Sequence, residues 1–147
     1  MLCYWLPAFD MEEEKRKDKN VEGQLAEILA DLKAGKHEIS PVTDADRAAH
    51  RQFLQLAGQQ PADAWQHLIR VSDRCVGCGV CEQVCPSGSI HVENGRAVQV
   101  PGRCQTCLAC VHACPAKAIG LTVPEKNPQP RYRNPHVALD EIIRANG

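Results

Sequence analysis

The chain has 147 residues, 44% of them hydrophobic, and a formal net charge of −1, which fits one or two small domains. A charge so near zero argues against a nucleic-acid footprint, which wants a basic domain. No apolar run approaches the ~18–20 residues that a membrane span needs. Nine cysteines are a high count for this length. Leu2 to Phe9 is apolar but short, lacks a basic leader and ends at Asp10, so it does not read as a signal peptide. The expected compartment is therefore the cytoplasm, where disulfides are rare and clustered thiols serve metals.

Met1 to Phe9 carries Tyr4, Trp5 and Phe9, and a stretch so apolar is expected to be covered. Cys3 has no neighbour at ligand spacing and reads as an incidental thiol. Asp10 to Asn20 is a charge run of both signs, expected to be solvated. Val21, Leu25, Ile28, Leu29 and Leu32 recur at three- and four-residue intervals, which predicts an amphipathic packing helix over 21–37, ended by Gly35 and Lys36. Ser40-Pro41-Val42 is a joint. Thr43 and Asp46 form a variant cap box that opens a second helix with Phe53, Leu54 and Ala57 on its apolar edge, and Gly58 to Pro61 breaks it. His37, His50 and His67 have no spaced partner and are not expected to bind metal. Trp65, His67, Ile69 and Val71 alternate, which predicts a strand over 64–71.

Two cysteine runs follow. The first is Cys75-Val-Gly-Cys78-Gly-Val-Cys81-Glu-Gln-Val-Cys85-Pro86, and the second is Cys104-Gln-Thr-Cys107-Leu-Ala-Cys110-Val-His-Ala-Cys114-Pro115. Each is C-x2-C-x2-C-x3-C-P, the signature of cysteine-bound iron–sulfur clusters. Three cysteines spaced by two residues let one tight loop reach three corners of a cubane. Pro86 and Pro115 stop the short helix that leads to each fourth cysteine. Structural zinc usually shows two separated C-x2-C knuckles. Four cysteines within eleven residues, written twice, argue against zinc and against a disulfide framework.

The runs are offset by 29 positions, Cys75 to Cys104, and the likeness extends beyond them. Val71 matches Val100, Arg74 matches Arg103, and Pro86-Ser-Gly-Ser-Ile90 matches Pro115-Ala-Lys-Ala-Ile119. Each copy reads as strand, ligand loop, short helix, strand. Between them, Asn94-Gly95 separates Ile90–Val92 from Ala97–Val100, a strong hairpin signal. His91 and His112 read as surface residues beside the ligands. Pro124 to Pro135 holds four prolines and three basic residues and reads as an extended arm. Val137, Leu139, Ile142 and Ile143 predict a last short helix that docks on something.

From Ser72 to Val123 the sequence resembles the bacterial two-cluster ferredoxins, on the eight-cysteine motif. The resemblance implies an α+β, ferredoxin-like pseudo-twofold fold, with strand 64–71 paired to Ala118–Val123. It also implies crossed ligation of two [4Fe-4S] clusters. Cys75, Cys78, Cys81 and Cys114 would hold one, and Cys104, Cys107, Cys110 and Cys85 the other. The expected organisation is a helical amino-terminal extension over 1–62, the two-cluster domain over 63–123, and an arm with a terminal helix over 124–147. The flanks are similar to proteins that fuse a flavodoxin-like, FMN-binding domain to a two-cluster ferredoxin, found mainly in anaerobes. The matching residues are Tyr4-Trp-Leu-Pro-Ala-Phe-Asp10, the helix through Leu25 to Leu32, Arg131-Tyr-Arg-Asn-Pro135, and Leu139 to Asn146. A whole flavodoxin domain does not fit in the residues available, so FMN binding is not expected of this chain alone, and 1–62 reads as a remnant and linker.

No residue pattern points to acid–base or nucleophilic chemistry, so an electron carrier is expected and not an enzyme. Its expected partner is a flavoprotein or oxidoreductase, with no nucleic acid and no membrane insertion; the sequence leaves the oligomeric state open. Two rival readings stand beside it. One is an assembly module that uses its clusters as staples, and the other is the relay piece of a larger redox enzyme.

Overall fold

The computed structural model describes residues 10–37, 41–59, 61 and 63–146. The apolar stretch 2–9 and Cys3 lie outside the described residues. The chain divides into two units: 15–61, and 62–147 together with residues 1–14. Among the described residues no helix is long and apolar enough to cross a membrane.

In the 15–61 unit, α2 spans Val21–Lys33 and α3 spans Asp44–Gly58. (α1, Met11–Arg16, is a short charged helix at the boundary between the units.) Asn20 enters α2 in the left-handed region, and its N–H donates to Asp18 Oδ1 at 2.9 Å. Gly35, at φ 65°, turns the chain after the helix. Thr43 opens α3 with a reciprocal cap: its Oγ1 accepts the Asp46 N–H at 3.2 Å, and Asp46 Oδ2 accepts the Thr43 N–H at 2.9 Å. The Thr43 hydroxyl, which donates to Asp46 Oδ2 at 2.7 Å, and the Thr43 N–H hold the Asp46 carboxyl below its usual range. The 3.6-residue period thus gave a helix at the expected place. Its apolar stripe, however, is not packed. Val21, Leu25, Ile28, Leu29 and Leu32 stay 53–69% exposed, and neither helix has a buried residue among those described.

The 62–147 unit is built from two antiparallel pairs of short strands. Strands β1 (Ile69–Val71) and β4 (Ile119–Leu121) pair with Ile69 opposite Leu121 and Val71 opposite Ile119. Strands β2 (Ile90–Glu93) and β3 (Arg96–Gln99) pair with Ile90 opposite Gln99 and Glu93 opposite Arg96. The β2–β3 turn is Asn94-Gly95 at φ 50° and 74°, the two positive angles that a tight hairpin turn requires. Helices α4 (Val80–Gln83) and α5 (Ala109–Ala113) pack on each other, α4 against β2 and α5 against β4. The core between them is Leu68, Ile69, Ile90, Ala97, Leu108, Val111, Ile119 and Leu121, with Cys81.

One expected strand is shorter than its alternation suggested. Residues Ala64–His67 form a 3-10 turn, and the strand begins only at Ile69. The Gln66 N–H bonds back to the Asp63 carbonyl at 2.9 Å, and the Gln66 carbonyl accepts the Gln99 side-chain amide at 2.6 Å. Those bonds turn the backbone away from a ladder.

After β4 the proline-rich segment runs without helix or strand, as its prolines dictate. It is pinned by Glu125 and Arg131. Glu125 Oε1 accepts the Leu121 N–H at 3.2 Å, Oε2 meets Arg131 Nη1 at 3.4 Å, and Arg131 Nη2 donates to the Ile119 carbonyl at 3.4 Å. Farther along, Lys126 pairs with Glu13 at 2.9 Å, and Asn127 reaches Asp10 at 3.5 Å. Helix α6 (Leu139–Asn146) closes the unit, with Asn146 Nδ2 donating to the Gln83 carbonyl at 3.5 Å.

Candidate metal centre

Each cysteine run folds as a loop that leads into a one-turn helix. Cys75 and Cys78 lie on the first loop, Cys81 sits in α4, and Cys85 follows that helix. Cys104 and Cys107 lie on the second loop, Cys110 sits in α5, and Cys114 follows it. The loops turn through left-handed residues at matching positions, Gly77 and Gly79 in the first and Thr106 and Leu108 in the second. At Gly77 the need for glycine is doubled. Its φ is 63°, and a Cβ there would fall inside contact distance of the Gly95 carbonyl on the hairpin turn.

The eight thiols divide between two cavities. Cys75, Cys78, Cys81 and Cys114 line one, which opens to solvent. Cys85, Cys104, Cys107 and Cys110 line the other. Each cavity thus gathers three cysteines of one run and the fourth cysteine of the other. Besides the cysteines, the first wall is apolar, with Val76, Val92, Ala97 and Ile119, and among the described residues no carboxylate or imidazole lines either cavity. Cys78 and Cys107 are the exposed thiols of their sets, and Cys81 is buried.

Backbone amides point at the sulfurs. Ala97 N–H donates to Cys75 at 3.4 Å, Thr106 N–H to Cys104 at 3.4 Å, Ser89 N–H to Cys85 at 3.2 Å, and Ala118 N–H to Cys114 at 3.2 Å. Ala97 belongs to β3, so the hairpin reaches across to the first loop. Cys85 has further neighbours, with Ser89 Oγ at 3.3 Å and Ser87 Oγ at 3.6 Å. The Ala97 and Gly77 amides draw the Cys75 thiol below its ordinary pKa. Burial pushes Cys81 up, and it pushes Cys110 up to about 12, with repulsion from Cys107 and Cys104 adding to it. At Cys85 burial also raises the pKa, but the Ser89 and Ser87 hydrogen bonds outweigh it and bring the thiol down to about 7. Each cavity therefore crowds four groups that repel one another once ionised, and cationic iron would relieve that repulsion.

Among the described residues no three His, Cys, Asp or Glu side chains are set to share a single metal ion. The thiols instead line two cavities, four to each, and a multi-iron cubane takes one thiolate per corner where a single ion takes them all. The donor set of four thiols with amide donors on their sulfurs fits such a group. The histidines that flank the ligands have other partners. His112 Nδ1 accepts the Tyr132 N–H at 3.1 Å, and His91 Nε2 lies 3.7 Å from Glu93.

Two features of the site were not read from the sequence. Left-handed Thr106, Leu108 and Lys117 stand 29 positions after Gly77, Gly79 and Gly88, and laying the repeat over itself at every position would have found them. The serine hydroxyls at Cys85 would have emerged from the same overlay, as a serine-for-alanine difference. No curated protein and no solved structure matches this chain. Residues 67–115 match the family model described as the 4Fe-4S dicluster domain, which makes this segment an iron–sulfur, electron-transfer type of domain.

Proposed function

We propose that the protein is an electron carrier that binds two [4Fe-4S] clusters crosswise. Cys75, Cys78, Cys81 and Cys114 hold one cluster, and Cys85, Cys104, Cys107 and Cys110 hold the other. The observation that carries this reading is the four-and-four division of the thiols between two cavities, each drawing its fourth cysteine from the opposite run. The strand pairing supports a pseudo-twofold. A shift of 29 positions carries β1 onto the β3 region and β2 onto β4, so β1–β4 pairing becomes β3–β2 pairing. When bound, each cluster supplies reversible one-electron chemistry. The chain's residues do the rest. Thiolates anchor the iron, amides of Ala97, Thr106, Ser89 and Ala118 stabilise sulfur charge, and the apolar wall of the first cavity limits water there. The exposed sulfurs of Cys78 and Cys107 mark where electrons enter and leave.

The chain works as a low-potential relay in the cytoplasm and has no catalysis of its own. It exchanges electrons with a flavoprotein or another oxidoreductase. The uncovered stripe of α2 supports such a partner, because five large apolar side chains on one helix are left for another protein to cover. Copurification with a flavin-bearing protein tests the partner. Residues 1–62 serve as the extension that meets it, 63–123 as the cluster domain and 124–147 as its clasp.

The crossing is tested by Cys85→Ala. The variant is expected to lose the cluster of Cys104, Cys107 and Cys110, which become open to alkylation, while Cys75, Cys78, Cys81 and Cys114 stay protected. Mass-spectrometric mapping of alkylated thiols in the iron-loaded variant reads this directly. Alkylation of Cys75, Cys78 and Cys81 instead would overturn the crossed assignment.

A further inference from the structure

The two sites are not equivalent at their fourth cysteines. Cys85 and Cys114 occupy the same place in the repeat, and each receives a backbone N–H from the residue four positions on, Ser89 or Ala118, at 3.2 Å. The backbone arms match. The side chains do not, because Ser87 and Ser89 become Ala116 and Ala118 in the second copy. Ser89 Oγ lies 3.3 Å and Ser87 Oγ 3.6 Å from the Cys85 sulfur. A sulfur bound to iron carries no proton, so both hydroxyls must donate. Ser89 is only 4% exposed, so little water competes for its hydroxyl and the bond is strengthened by its dry surroundings.

Reduction adds negative charge to a cluster and its thiolates. A donor on a ligand sulfur stabilises that charge and raises the potential. We infer that Ser87 and Ser89 raise the reduction potential of the cluster held by Cys85, so that the two clusters differ and the first electron given to the protein resides on the Cys85 side. This rests on the two-cluster reading above. On the other site Cys75 receives two amides, Ala97 N–H at 3.4 Å and Gly77 N–H, against the one Thr106 N–H on Cys104 at 3.4 Å, so one extra backbone donor there is set against the two hydroxyls on Cys85. Arg96 lies near Cys75, but Asp73 stands 2.8 Å from its guanidinium and offsets its charge. Lys117 is exposed, where solvent and salt screen it. No bond forms or breaks at either sulfur.

The test is an anaerobic, EPR-monitored titration of the iron-loaded chain with dithionite as the electron source. Wild type is compared with Ser87→Ala/Ser89→Ala and with Ala116→Ser. The alanines are those that the second copy already carries at these places, so the fold has a precedent for them. Two midpoint potentials are expected in wild type. The double variant should lower the higher one by about tenfold in its reduction equilibrium constant, about 59 mV for a one-electron couple, and leave the lower one in place. Ala116→Ser should raise the lower one. In deuterated buffer, pulsed EPR should lose exchangeable deuteron couplings in the double variant. Unmoved potentials in a fully loaded double variant, or a shift of the lower potential instead, would overturn the inference. A wild-type chain without iron–sulfur clusters would instead overturn the reading beneath it. If the double variant loads poorly, Ser87→Ala and Ala116→Ser are read by the same criteria.

Discussion

Gly77 and Thr106 hold the same place in the two ligand loops and the same left-handed backbone, at φ 63° and 53°. One is a glycine pressed against the Gly95 carbonyl; the other is a β-branched residue in a region that such residues avoid. The first loop is therefore relaxed but intolerant, and the second is strained but roomy enough to carry a side chain. Gly77→Ala is expected to cost the first cluster, and iron per chain should fall from about eight to about four. Thr106→Gly should relieve strain and raise stability by about 1 kcal/mol, read as a higher melting temperature of the loaded protein. Opposite signs at equivalent positions are the mark of this asymmetry. An indifferent Gly77→Ala would show that the hairpin turn does not press on the first loop.

Among the elements, the proline-rich arm shows most clearly what holds the cluster unit together. Arg131 and Glu125 are only 9% and 13% exposed in their side chains, and between them they bond Leu121 N–H and the Ile119 carbonyl on β4. Removing one partner leaves a charge in a dry place. Arg131→Ala is expected to destabilise the loaded unit by about 3–5 kcal/mol, measured by denaturant unfolding; a change below about 1 kcal/mol would mean that the arm is not a clasp. The sequence announced the arm through its prolines but not this pair. Glu125 and Arg131 become partners only because both fold back on β4, and no periodicity records that. Local signals fared better. Asn94-Gly95 fixed the β2–β3 register, and Thr43 with Asp46 fixed the start of α3, because each acts within a few residues. The alternation of 64–71 misled where a turn bond to Asp63 and the Gln99 side-chain amide on the Gln66 carbonyl won over strand pattern.

At the scale of the whole molecule, the chain joins a unit with a core to a unit that shows none among its described residues. The core of 62–147 is small, and its middle includes Cys81, so on the proposed two-cluster reading metal and apolar packing would share the work of holding the fold. The unit 15–61 has two helices with no buried residue among those described, and α2 presents an uncovered apolar stripe. Its period was readable because 3.6-residue spacing is local. What covers that stripe was not, because the amphipathic pattern says that a face is apolar and not what lies on it. The cysteine runs named all eight thiols that line the two cavities, because their spacing is a local signal. The central claim is that eight thiols in two cavities carry two redox-active clusters. Anaerobic iron analysis of the purified chain, combined with an EPR-monitored redox titration, tests it most directly. The account predicts about eight irons per chain and reversible reduction at low potential. Zinc in place of iron, or clusters that do not reduce reversibly, would contradict it.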